Sequence, residues 1–192
     1  MDISIESKID KSLLESTQTK EIFWRNSREN FFNIASKVKG AIQSGRKILI
    51  CGNGGSACDA LHFSGELVNR YIKDRAGIAC LALTADAPLI TCISNDFSFE
   101  DIFSRQVESL GQMGDVLIAI STSGNSPNII KAIKAARKNG LFTLALLGGK
   151  GGKIFSEKLA ESFLLVSGSN MTPRIQETHE WILHSLAEYL EN

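Results

Sequence analysis

The sequence predicts an open parallel α/β sheet with helices on both faces. Five apolar runs rich in aliphatic and β-branched residues recur along the chain. They are continuous rather than alternating, as strands covered on both faces must be. Helical patterns, with apolar residues three and four positions apart, separate the runs. Strand alternating with helix in this way is the signature of a parallel sheet.

The first 45 residues are expected to form a helical extension. Leu13, Leu14, Ile22, Phe23, Phe31, Phe32, Ile34, Ala35 and Val38 recur at helical spacing from about Ser7 to Ser44. A break is expected near Ser16-Thr17 or Asn26. This segment has more apolar surface than one helix needs, so it is expected to pack on a neighbouring subunit as well as on its own sheet. The strands follow as Lys47–Cys51, Gly77–Leu83, Asp115–Ser121, Phe142–Leu147 and Ser162–Val166. Helices are expected over Ser56–Tyr71, over Ala87–Ser94 with Phe99–Leu110, and over Ser126–Asn139, Lys153–Ala160 and Thr172–Leu190.

The 192 residues suffice for one domain with a full core, and no internal repeat or second domain is visible, so residues 1–192 read as a single domain. Lys plus Arg and Asp plus Glu are 21 each, which gives a formal net charge of zero. That balance offers no basic stripe for nucleic acid and no polybasic run for a membrane surface. The start of the chain lacks the basic and apolar blocks of a secretory leader, and no apolar run is long enough to span a bilayer. Cys51, Cys58, Cys80 and Cys92 form no C-x-x-C pair and read as buried thiols of a cytoplasmic protein.

In a sheet of this kind, ligands sit beyond the C-terminal strand ends, where the strand order reverses. The loop after the first strand is Gly52-Asn53-Gly54-Gly55-Ser56. Its glycines let the backbone approach a ligand, and the helix start that follows suits an anion such as phosphate. Gly52-x-Gly54-x-x-Ala57 also fits the dinucleotide-binding fingerprint, with Asp86 near the place of a ribose-binding acid. Further along the same helix, His62 and Glu66 share a face. After the third strand comes Ser121-Thr122-Ser123-Gly124-Asn125-Ser126, whose hydroxyls and amides can hold phosphate without formal charge. Ser126 alone fits a helix N-cap. The glycine-rich loop from 148 to 152 lacks the ending of a P-loop and reads as a flexible surface loop. On the last helix Gln176, Glu180 and His184 share a face. If that helix meets the first one, Gln176 and His184 converge with His62 and Glu66 into a donor set suited to zinc.

These motifs together resemble the phosphoheptose isomerases of the sugar-isomerase (SIS) fold. The resemblance rests on C-G-N-G-G-S-A-C-D-A-x-H-F-x-x-E-L, then S-N-D, then S-T-S-G-N-S, then R-I-Q-E-x-H with a histidine eight residues after the glutamine. It implies a flavodoxin-like five-stranded parallel sheet and a homotetramer with active sites between subunits. The implied reaction converts sedoheptulose 7-phosphate to D-glycero-D-manno-heptose 7-phosphate, an early step towards the heptose of bacterial lipopolysaccharide. The implied zinc ligands are His62, Glu66, Gln176 and His184, and Glu66 and His184 are the implied catalytic pair. Implied substrate contacts are Asn53, Gly54, Gly55, Ser56, Glu66, Asn95, Asp96, Ser121, Thr122, Ser123, Ser126 and Gln176. Pro173 stands where some members carry an Asp. A non-catalytic relative of the same fold binds the replication initiator; it lacks the acid at the place of Glu66 and the late histidine, and this chain has both.

Overall fold

The structure, a computed structural model, describes residues 4–192. The first three residues of the expected extension lie outside the described residues. Helix α1 (Ile5–Gln43) is capped by the Ser4 side chain, which accepts from the Ser7 amide. The sheet follows as β1 (Ile48–Cys51), β2 (Cys80–Ala82), β3 (Val116–Ser121), β4 (Phe142–Gly148) and β5 (Ser162–Val166). All pairings are parallel and the order is β2-β1-β3-β4-β5, so the order reverses between β1 and β3. The expected five-stranded parallel architecture is present in full. The helices are α2 (Gly55–Val68), α3 (Ala87–Asp96), α4 (Ser104–Leu110), α5 (Pro127–Lys138), α6 (Gly152–Ser156) and α7 (Thr172–Glu191).

Strand side chains alternate between two cores. Ile48, Ile50, Ile118, Ile120, Leu144 and Leu146 pack beneath α1, α2 and α7. Leu49, Cys51, Leu117, Ala119, Ala145 and Leu147 pack beneath α3, α4, α5 and α6. The first face matters most for function, because it holds α2 and α7 side by side.

Several expectations are corrected. The N-terminal segment is one uninterrupted helix, with no break near Ser16-Thr17 or Asn26. Thr17 and Thr19 turn their hydroxyls back onto the carbonyls of Leu13 and Glu15, so their polar groups are satisfied without leaving the helix. Helix α2 stops at Val68 rather than Tyr71, because Arg75 donates to the Glu66 and Leu67 carbonyls at 3.0 and 2.9 Å and occupies the end of the helix. Cys51 and Cys80 are buried as expected, but Cys58 and Cys92 are exposed. The loop at 148–152 is packed rather than free: Gly151 is buried and Ile154 donates to the Gly124 carbonyl. Helix α6 accordingly starts at Gly152, and it ends before Lys158, whose φ of 50° breaks the spiral.

Candidate active site

The two glycine–serine loops meet at the reversal of strand order. After β1 the chain turns through Gly54, whose φ of 56° is closed to side-chain-bearing residues without strain. The Ser56 and Ala57 amides close this turn onto the Asn53 and Gly54 carbonyls. Asn53 is locked to Asn128, at the start of α5, by a reciprocal pair of amide hydrogen bonds of 2.9 and 2.8 Å. Asn128 is buried, so this pair fixes the first loop against the helix that follows the second.

The second loop is held from below. Ser121 is buried, and its hydroxyl accepts from the Gly124 amide and lies 3.3 Å from the Ser126 hydroxyl. Ser126 occupies the N-cap of α5 but its side chain makes no capping hydrogen bond, so helix capping does not account for it. Gly124, at φ 64°, lies so close to the fourth loop that a β-carbon would stand 1.9 Å from the Gly151 carbonyl oxygen. Asn125 accepts from the Lys153 amide at 2.9 Å. The glycine-rich 148–152 segment is therefore the buttress of the S-T-S-G-N-S loop. Between them lies a polar cleft of ≈ 260 Å³, lined by Thr122, Ser123, Gly149, Lys150, Asn170 and Thr172.

Helices α2 and α7 run side by side in the same direction. Near their starts Gly55 faces Gln176: a β-carbon on Gly55 would lie 1.8 Å from the Gln176 amide nitrogen. Further along, His62, Glu66 and His184 bring one donor atom each within 4.8 Å of one another. His62 Nε2 is 3.1 Å from Glu66 Oε1 and 3.1 Å from His184 Nε2, and His184 Nε2 is 3.5 Å from Glu66 Oε1. Tyr71 stacks on the His184 ring at 5.7 Å and holds its plane.

The donor chemistry fits a divalent metal. His62 Nε2 and His184 Nε2 lie 3.1 Å apart, a contact that one ring can make as donor and the other as acceptor, or that both can make as lone-pair donors to a shared cation. Among the described residues the buried Glu66 Oε2 has no hydrogen-bond partner, which leaves an acceptor free on that side. Nitrogen and carboxylate donors in this combination suit zinc.

Not every expected site residue joins this cluster. Asn95 and Asp96 end α3, exposed and bonded to each other at 2.9 Å. The Gln176 side chain leans on Gly55 at the start of α2. Sequence reasoning passed over Glu180, whose Oε1 lies 3.4 Å from both His62 Nε2 and His184 Nε2. The four-residue spacing through Gln176, Glu180 and His184 carried that signal. It also passed over Asp59, one turn before His62. Burial pushes the Asp59 carboxyl up to about 7; the Glu180 carboxylate, which shares a hydrogen bond with it, raises it further, and His62 opposes.

A hydroxyl-rich loop at the reversal point of a parallel sheet, with a His/Glu cluster further along the helix that starts there, is the arrangement of an SIS-class domain, and the comparisons place the chain among sugar-phosphate isomerases. Residues 14–148 match the SIS domain family. The chain is 44% identical over 190 residues to the phosphoheptose isomerase of Thermodesulfovibrio yellowstonii, spanning 99% of this chain and 93% of that one. It is 44% identical over 183 residues to that of Nitratiruptor sp., spanning 95% and 96%. The solved phosphoheptose isomerase of Neisseria gonorrhoeae superposes with a TM-score of 0.91 at 36% identity, covering 98% of this chain and 99% of that one. The chain belongs to the phosphoheptose isomerase family of SIS-domain enzymes.

The dinucleotide alternative loses its acid: Asp86 is spent capping α3, where its side chain accepts from the Leu89 amide. Among the described residues no helix is long and apolar enough to cross a membrane.

Proposed function

We propose that this enzyme interconverts sedoheptulose 7-phosphate and D-glycero-D-manno-heptose 7-phosphate by proton transfer through an enediol. The observation that carries the reading is the position of Glu66. Its carboxylate lies against two histidine nitrogens and keeps one buried oxygen without a partner, on the helix that begins in the glycine loop. Glu66 takes the proton from C1 of the ketose, and a proton is returned to C2 to give the aldose. His184 moves the accompanying proton between the two oxygens. Ser121, Thr122, Ser123 and Ser126 hold the phosphate with the amides of their loop. Asn53, Gly54, Gly55, Ser56 and Gln176 line the sugar at the start of α2. The locked Asn53–Asn128 pair keeps the two loops at a fixed separation, so the phosphate anchor sets where C1 and C2 fall.

The metal reading rests on His62, Glu66 and His184, with Gln176 added as the fourth ligand by resemblance. Zinc held there would supply Lewis-acid stabilisation of the oxygen charge that develops as the carbon proton leaves. The exposed positions of Asn95 and Asp96 fit contacts to substrate in a site between subunits, as expected of a homotetramer. The reaction belongs to the cytoplasm, at an early step towards the heptose of bacterial lipopolysaccharide, and uses neither nucleic acid nor membrane.

The test is Glu66→Gln. The variant should keep its fold by circular dichroism and still bind the sugar phosphate, but lose isomerisation and solvent-deuterium exchange at carbon. Near-normal turnover would remove Glu66 as the base.

A further inference from the structure

We propose that Lys150 is the cationic ligand of the substrate phosphate, held where the loop after β4 meets the serine loop. The inference rests on reading Ser121-Thr122-Ser123-Gly124-Asn125-Ser126 as the phosphate site. The polar cleft of ≈ 260 Å³ is lined by Thr122 and Ser123 from that loop and by Gly149, Lys150, Asn170 and Thr172. Among the described residues that line it, Lys150 is the one that carries a charge, and no carboxylate faces it there. A phosphate ester carries a charge of about −1.5 to −2 at neutral pH. Hydroxyls and amides alone leave that charge uncompensated, and an ammonium group compensates it through a shorter, stronger hydrogen bond.

The backbone fixes where this lysine stands. The Gly151 amide donates to the Gly148 carbonyl at 2.9 Å, which makes residues 148–151 a tight turn with Lys150 at its third position. That turn is pressed onto the serine loop on both sides of Lys150. A β-carbon on Gly148 would stand 2.6 Å from the Thr122 carbonyl oxygen, and one on Gly152 would collide with the Ser123 carbonyl. The Gly149 amide donates to the Val166 carbonyl at 2.9 Å and ties the turn to β5. Lys150 is therefore carried on fixed backbone beside the serine loop, while its flexible stem is exposed and can bring the ammonium over the cleft. Other cations nearby are committed elsewhere. Arg174, at the start of α7, binds Ser12 and Glu177. Lys153 meets the serine loop through its backbone amide, which donates to the Asn125 side chain.

The test measures kcat and KM for sedoheptulose 7-phosphate, and competitive inhibition by inorganic phosphate. It compares wild type with Lys150→Gln, Lys150→Arg, Lys153→Gln and Ser123→Ala. Position 150 is exposed on its turn, so Lys150→Gln leaves the fold in place. This change is expected to raise KM and the inhibition constant of phosphate at least about tenfold, with kcat within about twofold of wild type. Lys150→Arg keeps the charge and should stay within about threefold of wild type. Lys153→Gln removes a nearby charge that does not line the cleft and should stay within about twofold. Added potassium chloride should raise KM more steeply in wild type than in Lys150→Gln. Weaker binding in Ser123→Ala with none in Lys150→Gln would overturn the assignment of Lys150 alone. So would equal losses in Lys150→Gln and Lys153→Gln, which would mark a diffuse field rather than a ligand. No loss in either Ser123→Ala or Lys150→Gln would overturn the phosphate reading of the serine loop and this inference with it.

Discussion

Gln176 leans on Gly55 so closely that the glycine has no room for a β-carbon: the nearest amide atom would lie 1.8 Å away. This contact joins the phosphate-loop helix to the C-terminal helix at the mouth of the site. Gly55 does not have a left-handed φ, so alanine is tolerated by the backbone and only the Gln176 side chain must yield. Gly55→Ala should therefore leave thermal stability within about 1 kcal/mol of wild type, helped by the lower chain entropy of alanine. Its kcat/KM for the sugar phosphate should fall at least about tenfold as Gln176 is displaced. Gly54→Ala should behave differently. Its φ of 56° imposes strain of about 1–3 kcal/mol, visible as a lowered urea midpoint.

His179 predicts a pH dependence. It is fully buried on α7, and its Nε2 donates to the Leu147 carbonyl at 3.2 Å while Nδ1 has no partner among the described residues. Burial pushes the imidazole down to about 4, against the opposing pull of that carbonyl. The folded state thus favours the neutral ring. Its contribution is complete above the unfolded value near 6.5 and is lost as pH falls towards 4, by up to about 1.4 kcal/mol per pH unit. Asp59 runs the other way over the same range, because its raised pKa contributes stability at low pH that fades as pH rises through about 7. The difference between wild type and His179→Gln, which keeps a donor near the Nε2 position, isolates the histidine. Urea unfolding at pH 7 and pH 5 should show the wild type losing more stability on acidification than the variant does.

The first turns of α1 predict assembly. Ile5, Ile9 and Leu13 lie four residues apart on one exposed stripe, with Leu14 beside it. An apolar stripe of this kind reads as an interaction surface rather than a solvated face. Ile9→Glu with Leu13→Glu should yield a smaller species in sedimentation than wild type, with helix content unchanged. An unaltered sedimentation coefficient would show that this stripe does not hold the assembly.

Much of this was legible in the sequence, for physical reasons. The buried central strands β3 and β4 announce themselves as unbroken apolar runs, and their observed ends fall within a residue of those expected. The edge strand β2 was overread: the run from Gly77 to Leu83 shrinks to Cys80–Ala82, because only β1 pairs with it and that register begins at Ile48 with Cys80. The serine loop was legible because a single N-cap cannot account for so many hydroxyls. Its dependence on Gly151 and Gly152 was not, since backbone packing between two loops leaves no local pattern. Glu180 was visible as one member of a helical face. Which residues of that face meet α2 is set by the alignment of two helices whose starts lie more than a hundred residues apart in sequence, and periodicity carries no information about that.

The most direct measurement is proton NMR of the purified enzyme with sedoheptulose 7-phosphate in D₂O, with zinc and with a chelator. New aldoheptose 7-phosphate signals are expected, with deuterium entering at C2 of the aldose, faster with zinc than with chelator. A folded, zinc-supplemented protein that gives neither product nor exchange at carbon would contradict it.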